Sequence, residues 1–265
     1  MNHLPSLPYP EDEKPKLVKL GDLFRDWHQH FADNEHALEK HKADEMVFDG
    51  FYPHYFHQQK KILFVGKESR QISGSNYMDI IYDAYRNGKY IGDQHLNANW
   101  FHKRLIYIAY GLNNGMPQWQ DIPTADKIGD TFGDADGLSF AFMNISKLSN
   151  ESDNYVADMP VIRVAHTLST QGRNFIQEEV EELEPDIIIT MFPEDMLNLL
   201  DSLGPLTLIH ESEMANSYWL QCGCRRVLLV NTAHFAYGKR DDIDGFYAPI
   251  CDAIRLSGME CAPVG

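Results

Sequence analysis

The sequence predicts a three-layer α/β/α fold with a central, mainly parallel sheet of four strands. Four short, continuous apolar runs are typical of strands covered on both faces, and longer stretches with helical periodicity separate them. Hydrophobic residues make up 43% of the 265 residues, enough for a substantial core. No linker-like segment follows the first run. We therefore expect one main domain at 59–265, with an N-terminal arm and helix at 1–58 packed on it.

The expected helices and strands alternate along the chain. The N-terminal extension carries a helix within 16–45, where leucine and aromatic residues recur at helical spacing. Pro185 is expected to close a long helix that begins near residue 158. Strands are expected at 61–66, 138–143, 186–191 and 226–230, with a possible extra strand at 206–209, and further helices at 76–87, 97–111, just before Leu203 and at 242–257.

Charge and composition narrow the classes of function. The chain has 23 Lys and Arg against 39 Asp and Glu, a formal net charge of −16, which weighs against a dedicated nucleic-acid binder. A local basic mouth remains conceivable, with the candidates Lys67, Arg70, Lys147, Lys239 and Arg240. No segment is long and apolar enough to cross a bilayer, and the N-terminus does not resemble a secretory signal. We expect a cytoplasmic protein without a membrane partner.

Polar residues that can do chemistry follow the ends of the predicted strands. Ligands bind beyond the carboxyl ends of the strands in open parallel sheets, so these side chains should converge at one edge. Such a combination of groups, a carboxylate, an amide, a lysine and a histidine, is typical of an active site. The candidates are Gly66, Lys67, Glu68 and Ser69 at the end of the first strand, Asn144 and Lys147 after the second, and Asn231 and His234 after the last.

Each candidate has a chemical interpretation and a structural alternative. Glu68 could act as a general base or stabilise a developing cation, or it could cap a helix or pair with Arg70. Asn144 offers a donor and an acceptor to the amide edge of a base, or it could simply form a turn. Lys147 could neutralise a phosphate or be a solvated loop residue. His234 could donate a hydrogen bond to a substrate oxygen, although a lone histidine is more often structural.

The order and spacing of these motifs resemble the uracil-DNA glycosylase superfamily over about 60–245. In that family, a first strand ends in a turn of the form Gly-x-Asp-Pro or Gly-x-x-Pro, whose acid activates water. Here the corresponding segment is Gly66-Lys67-Glu68-Ser69. A family asparagine that reads the flipped base is similar to Asn144, and a His-Pro-Ser loop is similar to the segment that contains His234.

This chain departs from the family pattern at three points. Glu68 is longer than the usual aspartate, and Ser69 replaces the proline of the first motif. Phe235 and Ala236 stand where the family has Pro-Ser. The departures put the placement of a catalytic water in question, because catalysis depends on the geometry of the reacting groups.

The resemblance implies a uracil-DNA glycosylase-like fold and a base-flipping enzyme of base excision. It would hydrolyse the N-glycosidic bond of uracil or another altered base in DNA. Glu68 and His234 would be catalytic, Asn144 would read the base, and Tyr237 is a candidate wedge. The other implied substrate-binding residues are Gly66, Lys67, Ser69, Lys147 and Asn231, and Tyr77 and Phe101 are candidates for stacking on the base. The scheme requires no metal and no organic cofactor.

Two other classes of function stay open. A protein with this fold can lose catalysis and serve as a binding module with a protein partner. An enzyme that acts on a free nucleoside or nucleotide is the third reading, and a net charge of −16 suits it better than it suits a binder of long duplex DNA. The four cysteines are expected to be free thiols, because the Cys-x-Cys spacing at 222–224 matches no strong metal motif.

Overall fold

A central sheet of seven strands organises the computed structural model, which describes residues 4–154, 156–238 and 240–259. The strands in this sheet are β1 (Gly50–Phe51), β2 (Ile62–Gly66), β5 (Ala141–Asn144), β6 (Ile187–Thr190), β7 (Leu206–His210), β8 (Ala215–Cys222) and β9 (Arg225–Thr232), whereas β3 (Tyr90–Ile91) and β4 (Gln94–His95) pair separately. Their order across the sheet is β1-β5-β2-β6-β9-β8-β7. The middle four are parallel to one another, and β1, β8 and β7 add antiparallel edges.

Helices cover this sheet. Every residue of β2, β5 and β6 is buried, which requires packing on both faces of the sheet. The α-helices are α1 (Lys14–Asp33), α2 (Tyr77–Asp83), α3 (Trp100–Asn113), α4 (Ala125–Gly129), α5 (Met159–Thr170), α6 (Phe175–Leu183) and α7 (Ala248–Leu256). Helices α1, α5 and α6 pack together, while α7 packs on β8 and β9. In the described part of the chain, no helix combines the length and apolar character needed to cross a membrane.

The predicted α/β class is confirmed, but the sheet is wider than the four strands expected. The possible extra strand is real and extends over β7. Strand β8 was not predicted, because its buried and partly exposed residues alternate and it lacks a continuous apolar run. The long helix expected from residue 158 is two helices, since Gly172 takes a φ of +78° and Asn174 caps α6 through its side chain.

The N-terminal extension is part of the core. Helix α1 buries one aromatic face, and Trp27 on that face stacks on Phe175 with ring centroids 5.4 Å apart. The preceding segment is also anchored: the Tyr9 hydroxyl donates to the carbonyl of Phe51, and the Glu13 carboxylate accepts two backbone N–H groups. Strand β1, also within residues 1–58, pairs with β5.

Candidate functional site

The ends of β2 and β5 meet at Gly66 and Asn144. These two residues are paired in register, and a Cβ added at Gly66 would lie 2.5 Å from Oδ1 of Asn144 and 3.1 Å from the Phe142 ring. Glycine is therefore needed for space, because the Asn144 carboxamide occupies the place that a side chain would take. The backbone N–H of Asn144 donates to Oδ2 of Asp49 at 2.7 Å, which holds the strand end in position.

Glu68 lies just beyond β2 with its two carboxylate oxygens in different environments. Oε1 accepts hydrogen bonds from Nδ2 of Asn150 and from the backbone N–H of Asp158, both at 3.0 Å. Oε2 is buried and has no hydrogen-bond partner among the described residues. Burial raises the pKa of Glu68, although these two hydrogen bonds oppose the rise. A carboxylate held at one oxygen and free at the other can position and deprotonate a water molecule.

Ser69 contributes a second buried oxygen without a partner. Its side chain is 5% exposed, and no described residue is hydrogen-bonded to its Oγ. Two consecutive residues, Glu68 and Ser69, thus each place a buried oxygen without a protein hydrogen-bond partner just beyond β2.

His234 lies in the loop after β9 as a neutral hydrogen-bond donor. The backbone N–H of Ala236 donates to Nδ1 at 3.3 Å, which leaves the proton of the neutral ring on Nε2. Burial and the nearby charge of Lys67 lower the pKa of His234 to about 4. The ring stacks on Phe101 with centroids 5.3 Å apart. A neutral imidazole of this kind can stabilise negative charge that develops on a substrate oxygen.

Lys67 connects the carboxylate and the imidazole electrostatically. Burial dominates both pKa shifts, and the charge of Lys67 lowers the pKa of Glu68 as well as that of His234. The strand register also brings the two side chains to one edge of the sheet. Strand β6 lies between β2 and β9 and is parallel to both, with Thr190 opposite Val65 on one side and Asn231 on the other. The ends that carry Glu68 and His234 therefore face the same edge of the sheet.

Aromatic rings bridge the two halves of the site. Phe142 stacks on Tyr77 with centroids 4.9 Å apart and meets the edge of Phe101 at 6.2 Å. Phe101 in turn contacts His234, so its ring spans the space between the Asn144 strand and the His234 loop. Of the two predicted stacking candidates, Phe101 is the better placed, because Tyr77 is 8% exposed and covered by Phe142.

Tyr237 lies at the rim of the site, with 48% of its surface exposed. Its backbone N–H donates to the carbonyl of His234 at 2.8 Å, so the two residues belong to one tight turn. An exposed aromatic ring on an anchored turn suits the proposed wedge, because stacking on a base requires an accessible face.

Lys147 does not belong to this site, contrary to the prediction. Its side chain is fully buried, with Nζ 2.5 Å from Oδ1 of Asp49 and 2.7 Å from Oε2 of Glu179. The ammonium also lies over the rings of Phe24 and Trp27, at 5.3 and 5.1 Å from their centroids. The chain therefore uses Lys147 to balance buried charge beneath α1, and its ammonium is not available to a phosphate.

Asn231 also has a structural position instead of the predicted ligand contact. Its Oδ1 accepts from the Thr190 hydroxyl at 2.8 Å and from the backbone N–H of Phe192 at 3.0 Å. Its Nδ2 donates to the carbonyl of Phe192 at 3.0 Å. The carboxamide thus joins β9 to the segment that follows β6, and its hydrogen-bonding groups are already used.

The predicted basic mouth is much reduced. Lys147 is buried, Arg70 donates to the carbonyl of Ser152, and Lys239 lies outside the described residues. The carboxylates of Glu151 and Asp153 lie in the adjacent loop, where they accept from the backbone N–H of Ser73 and the side chain of Gln71. Lys67 remains beside Glu68 and His234, and its positive charge lowers the pKa of both side chains.

Two residues that hold Glu68 were not predicted. Asn150 and Asp158 act through loop contacts, because the segments after β2 and β5 run side by side, with the N–H of Gln71 donating to the carbonyl of Asn150 at 3.1 Å. No local sequence signal distinguishes Asn150 from other loop asparagines. Asp158 had a weak signal as the N-cap of α5, where its Oδ1 accepts from the N–H of Val161.

Two surface cavities, of about 400 and 320 Å³, lie away from these residues. The first is lined by His57, Asn113 and Leu138, and the second by Trp119 and Tyr247. Neither holds a pair of groups with the chemistry found at the sheet edge, so we assign the candidate site to the edge. Within the described ranges, no three potential ligands are grouped as a metal site would require. Cys222, Cys224 and Cys251 form no disulfide within those ranges, and Cys261 lies outside them.

Comparison with known proteins adds no relative. No model of a protein family matches the chain, and a search of curated proteins found no significant match. The geometry of Glu68, Asn144 and His234, and the resemblance of their motifs to those of the uracil-DNA glycosylase superfamily, are therefore the basis for proposing a function.

Proposed function

We propose that the protein is a uracil-DNA glycosylase-like hydrolase that cleaves the N-glycosidic bond of uracil or another altered base in DNA. The observation that carries the proposal is the buried, unpaired Oε2 of Glu68 at the strand end next to Asn144. A neutral histidine donor, His234, faces the same edge of the sheet. A general base, a carboxamide and a neutral donor form the minimum set for releasing a nucleobase with water.

Each residue has a separate task in the proposed reaction. The Asn144 carboxamide pairs with an oxygen and an N–H on the edge of the flipped base. As the glycosidic bond breaks, the base leaves with the bonding electrons, and Nε2–H of His234 stabilises the negative charge on its oxygen. Glu68 offsets the positive charge on the sugar and takes a proton from the water that bonds to the anomeric carbon. In this scheme Phe101, which lies against His234, stacks on the base.

A second candidate is a hydrolase of a free nucleoside or nucleotide. The burial of Lys147 favours it, because the site loses a cation that could have contacted the phosphates of a nucleic-acid strand. The net charge of −16 acts in the same direction. The chemistry of Glu68 and His234 would be unchanged, and only the substrate would differ.

The test measures base release from labelled oligonucleotides that contain uracil, other deaminated bases or bulky modified pyrimidines, and from the corresponding free nucleosides. Abasic sites are scored by alkaline cleavage. We expect release by the wild type and a loss of about 10²–10⁴-fold in Glu68→Gln, the range for removal of a general base. His234→Ala should also lose activity.

The matched control is Glu211→Gln, which changes an exposed carboxylate between β7 and β8. It should retain full activity. Equal activity in Glu68→Gln and the wild type would contradict the proposed mechanism. Release from nucleosides but not from oligonucleotides would favour the second candidate, and no release from any substrate by folded protein would leave the binding module as the remaining reading.

A further inference from the structure

We propose that Arg104, on α3, is a positioning residue that sets the orientation and the tautomer of His234 by holding the loop between β9 and α7. The inference depends on the proposed function only for its effect on activity, because the state of the His234 ring can be measured in any folded sample. Arg104 does not reach the substrate edge itself and acts through the loop.

The guanidinium of Arg104 is enclosed by that loop. The residue is 2% exposed. Its NH1 donates to the carbonyls of Phe235 at 2.5 Å and Tyr237 at 3.1 Å, and its NH2 donates to the carbonyl of Arg240 at 3.2 Å. Its Nε donates to Oδ1 of Asp242 at 2.7 Å. All four acceptors lie within eight residues of chain, so one side chain defines the path of the whole loop.

The charge of Arg104 is balanced where it is buried. Burial alone would raise the pKa of Asp242, but hydrogen bonds and positive charge from Lys103 and Arg104 outweigh it and lower the pKa. The Phe246 ring lies against the guanidinium, 4.1 Å from Cζ to its centroid. If the loop moved away, a buried cation would lose its acceptors, which is costly. The loop is therefore held tightly.

Arg104 and His234 are bonded to the same short turn, Phe235–Tyr237. The carbonyls of Phe235 and Tyr237 flank the peptide of Ala236, whose N–H donates to Nδ1 of His234. The N–H of Tyr237 donates to the His234 carbonyl. Because Nδ1 accepts this hydrogen bond, the proton of the neutral ring is on Nε2. Arg104 thus determines the donor that His234 presents.

The first turn of α3 supports the loop at two further points. Phe101 stacks on the His234 ring, and Trp100 covers the backbone of Gly238, where an added Cβ would lie 1.7 Å from the indole. Trp100, Phe101 and Arg104 therefore present one continuous surface of the helix to the loop. Since Arg104 and Phe235 are 131 residues apart in sequence, only the tertiary fold creates this arrangement.

The test compares Arg104→Lys with the wild type. A lysine keeps the charge, but it cannot reproduce a planar fork that serves four acceptors. We expect the pKa of the His234 ring, measured by NMR titration, to rise from about 4 toward the ordinary value of 6.5. Ring nitrogen shifts should show a mixture of tautomers. If the proposed function holds, kcat should fall about 10–100-fold with little change in KM, the pattern for a misplaced catalytic group.

Arg173→Lys is the matched control, because Arg173 also forms a forked contact with carboxylates but lies 42% exposed beside α6. It should leave the His234 titration unchanged. If Arg104→Lys does not fold, Asp242→Asn removes the charge partner and should shift the His234 pKa in the same direction by a smaller amount.

An unchanged pKa and tautomer of His234 in a folded Arg104 or Asp242 variant would overturn the inference. A wild type that releases no base would contradict the proposed function alone, because the titration needs no substrate. The two failures are therefore distinguishable.

Discussion

The ends of β2 and β5 look alike in sequence but have different surroundings in the structure. Strand β2 ends at Gly66 and β5 at Asn144. A charged side chain follows each end within three residues, Glu68 in one case and Lys147 in the other. Glu68 keeps one oxygen unpaired at the sheet edge, whereas Lys147 is covered by the aromatic face of α1. The comparison teaches that a polar residue after a strand serves either a site or the core, depending on what packs over it.

Two glutamates with raised pKa values show the same difference in surroundings. Burial raises the pKa of Glu68, and it raises the pKa of Glu179 well above its ordinary value against the opposing charge of Lys147. Glu68 is partly exposed just beyond a strand end, whereas Glu179 is fully buried beside Asp49 and Lys147. Perturbed ionisation therefore identifies a catalytic candidate only together with access for a ligand.

The largest effect on stability is expected from Lys147→Met. Removing the cation leaves the carboxylate of Asp49 buried without a charge partner, which should lower the free energy of unfolding by about 3–5 kcal/mol. Urea denaturation measures this difference. Glu68→Gln, at the other strand end, should change stability by less than about 1 kcal/mol, since a neutral amide retains an acceptor for Asn150.

Glu179→Gln is the control for that comparison. The raised pKa of Glu179 favours its neutral form, which glutamine resembles in shape, so the substitution should cost little. A loss as large as that of Lys147→Met would show that Glu179 is ionised in the folded protein and that the buried group carries an excess negative charge.

Gly66→Ala should have an intermediate effect. The added Cβ would meet Oδ1 of Asn144 and the Phe142 ring, so we expect a loss of about 1–3 kcal/mol, as for overpacking elsewhere, and a displaced Asn144 carboxamide. Denaturation and base release would both be measured. In an Asn144→Ala background the closest clash is absent, so the added cost of Gly66→Ala should be smaller there. Equal costs in both backgrounds would contradict this explanation.

At neutral pH the smallest expected effect is that of His102, whose ionisation makes stability depend on pH. Burial lowers the pKa of His102 to about 3, and its Nδ1 lies 2.7 Å from the Tyr85 hydroxyl. Below pH 6.5 His102 therefore binds a proton in the unfolded chain but not in the folded chain. The free energy of unfolding thus falls as the pH drops from 6.5 toward 3. His102→Asn should reduce this slope by at most about 1.4 kcal/mol per pH unit in denaturation curves. An unchanged slope would show that the pKa of His102 is not lowered in the folded protein.

Sequence patterns predicted the parallel centre of the sheet better than its edges. Strands β2, β5, β6 and β9 contain continuous apolar runs, because strands buried on both faces need them. Strand β8 alternates and was missed, and the two-residue strand β1 has no pattern to detect. The break between α5 and α6 depends on the backbone of Gly172, which a periodic apolar pattern does not reveal.

Local periodicity encodes burial, so the parallel strands and their ends could be predicted from sequence, and with them the candidates Glu68, Asn144 and His234. Which neighbours each residue meets depends on the tertiary structure. It buried Lys147 against Asp49, 98 residues away, and attached Glu68 to Asn150, 82 residues away. It also placed Arg104 under the His234 loop, 131 residues from Phe235. Such contacts arise only when distant segments pack together, and for that reason no local pattern predicts them.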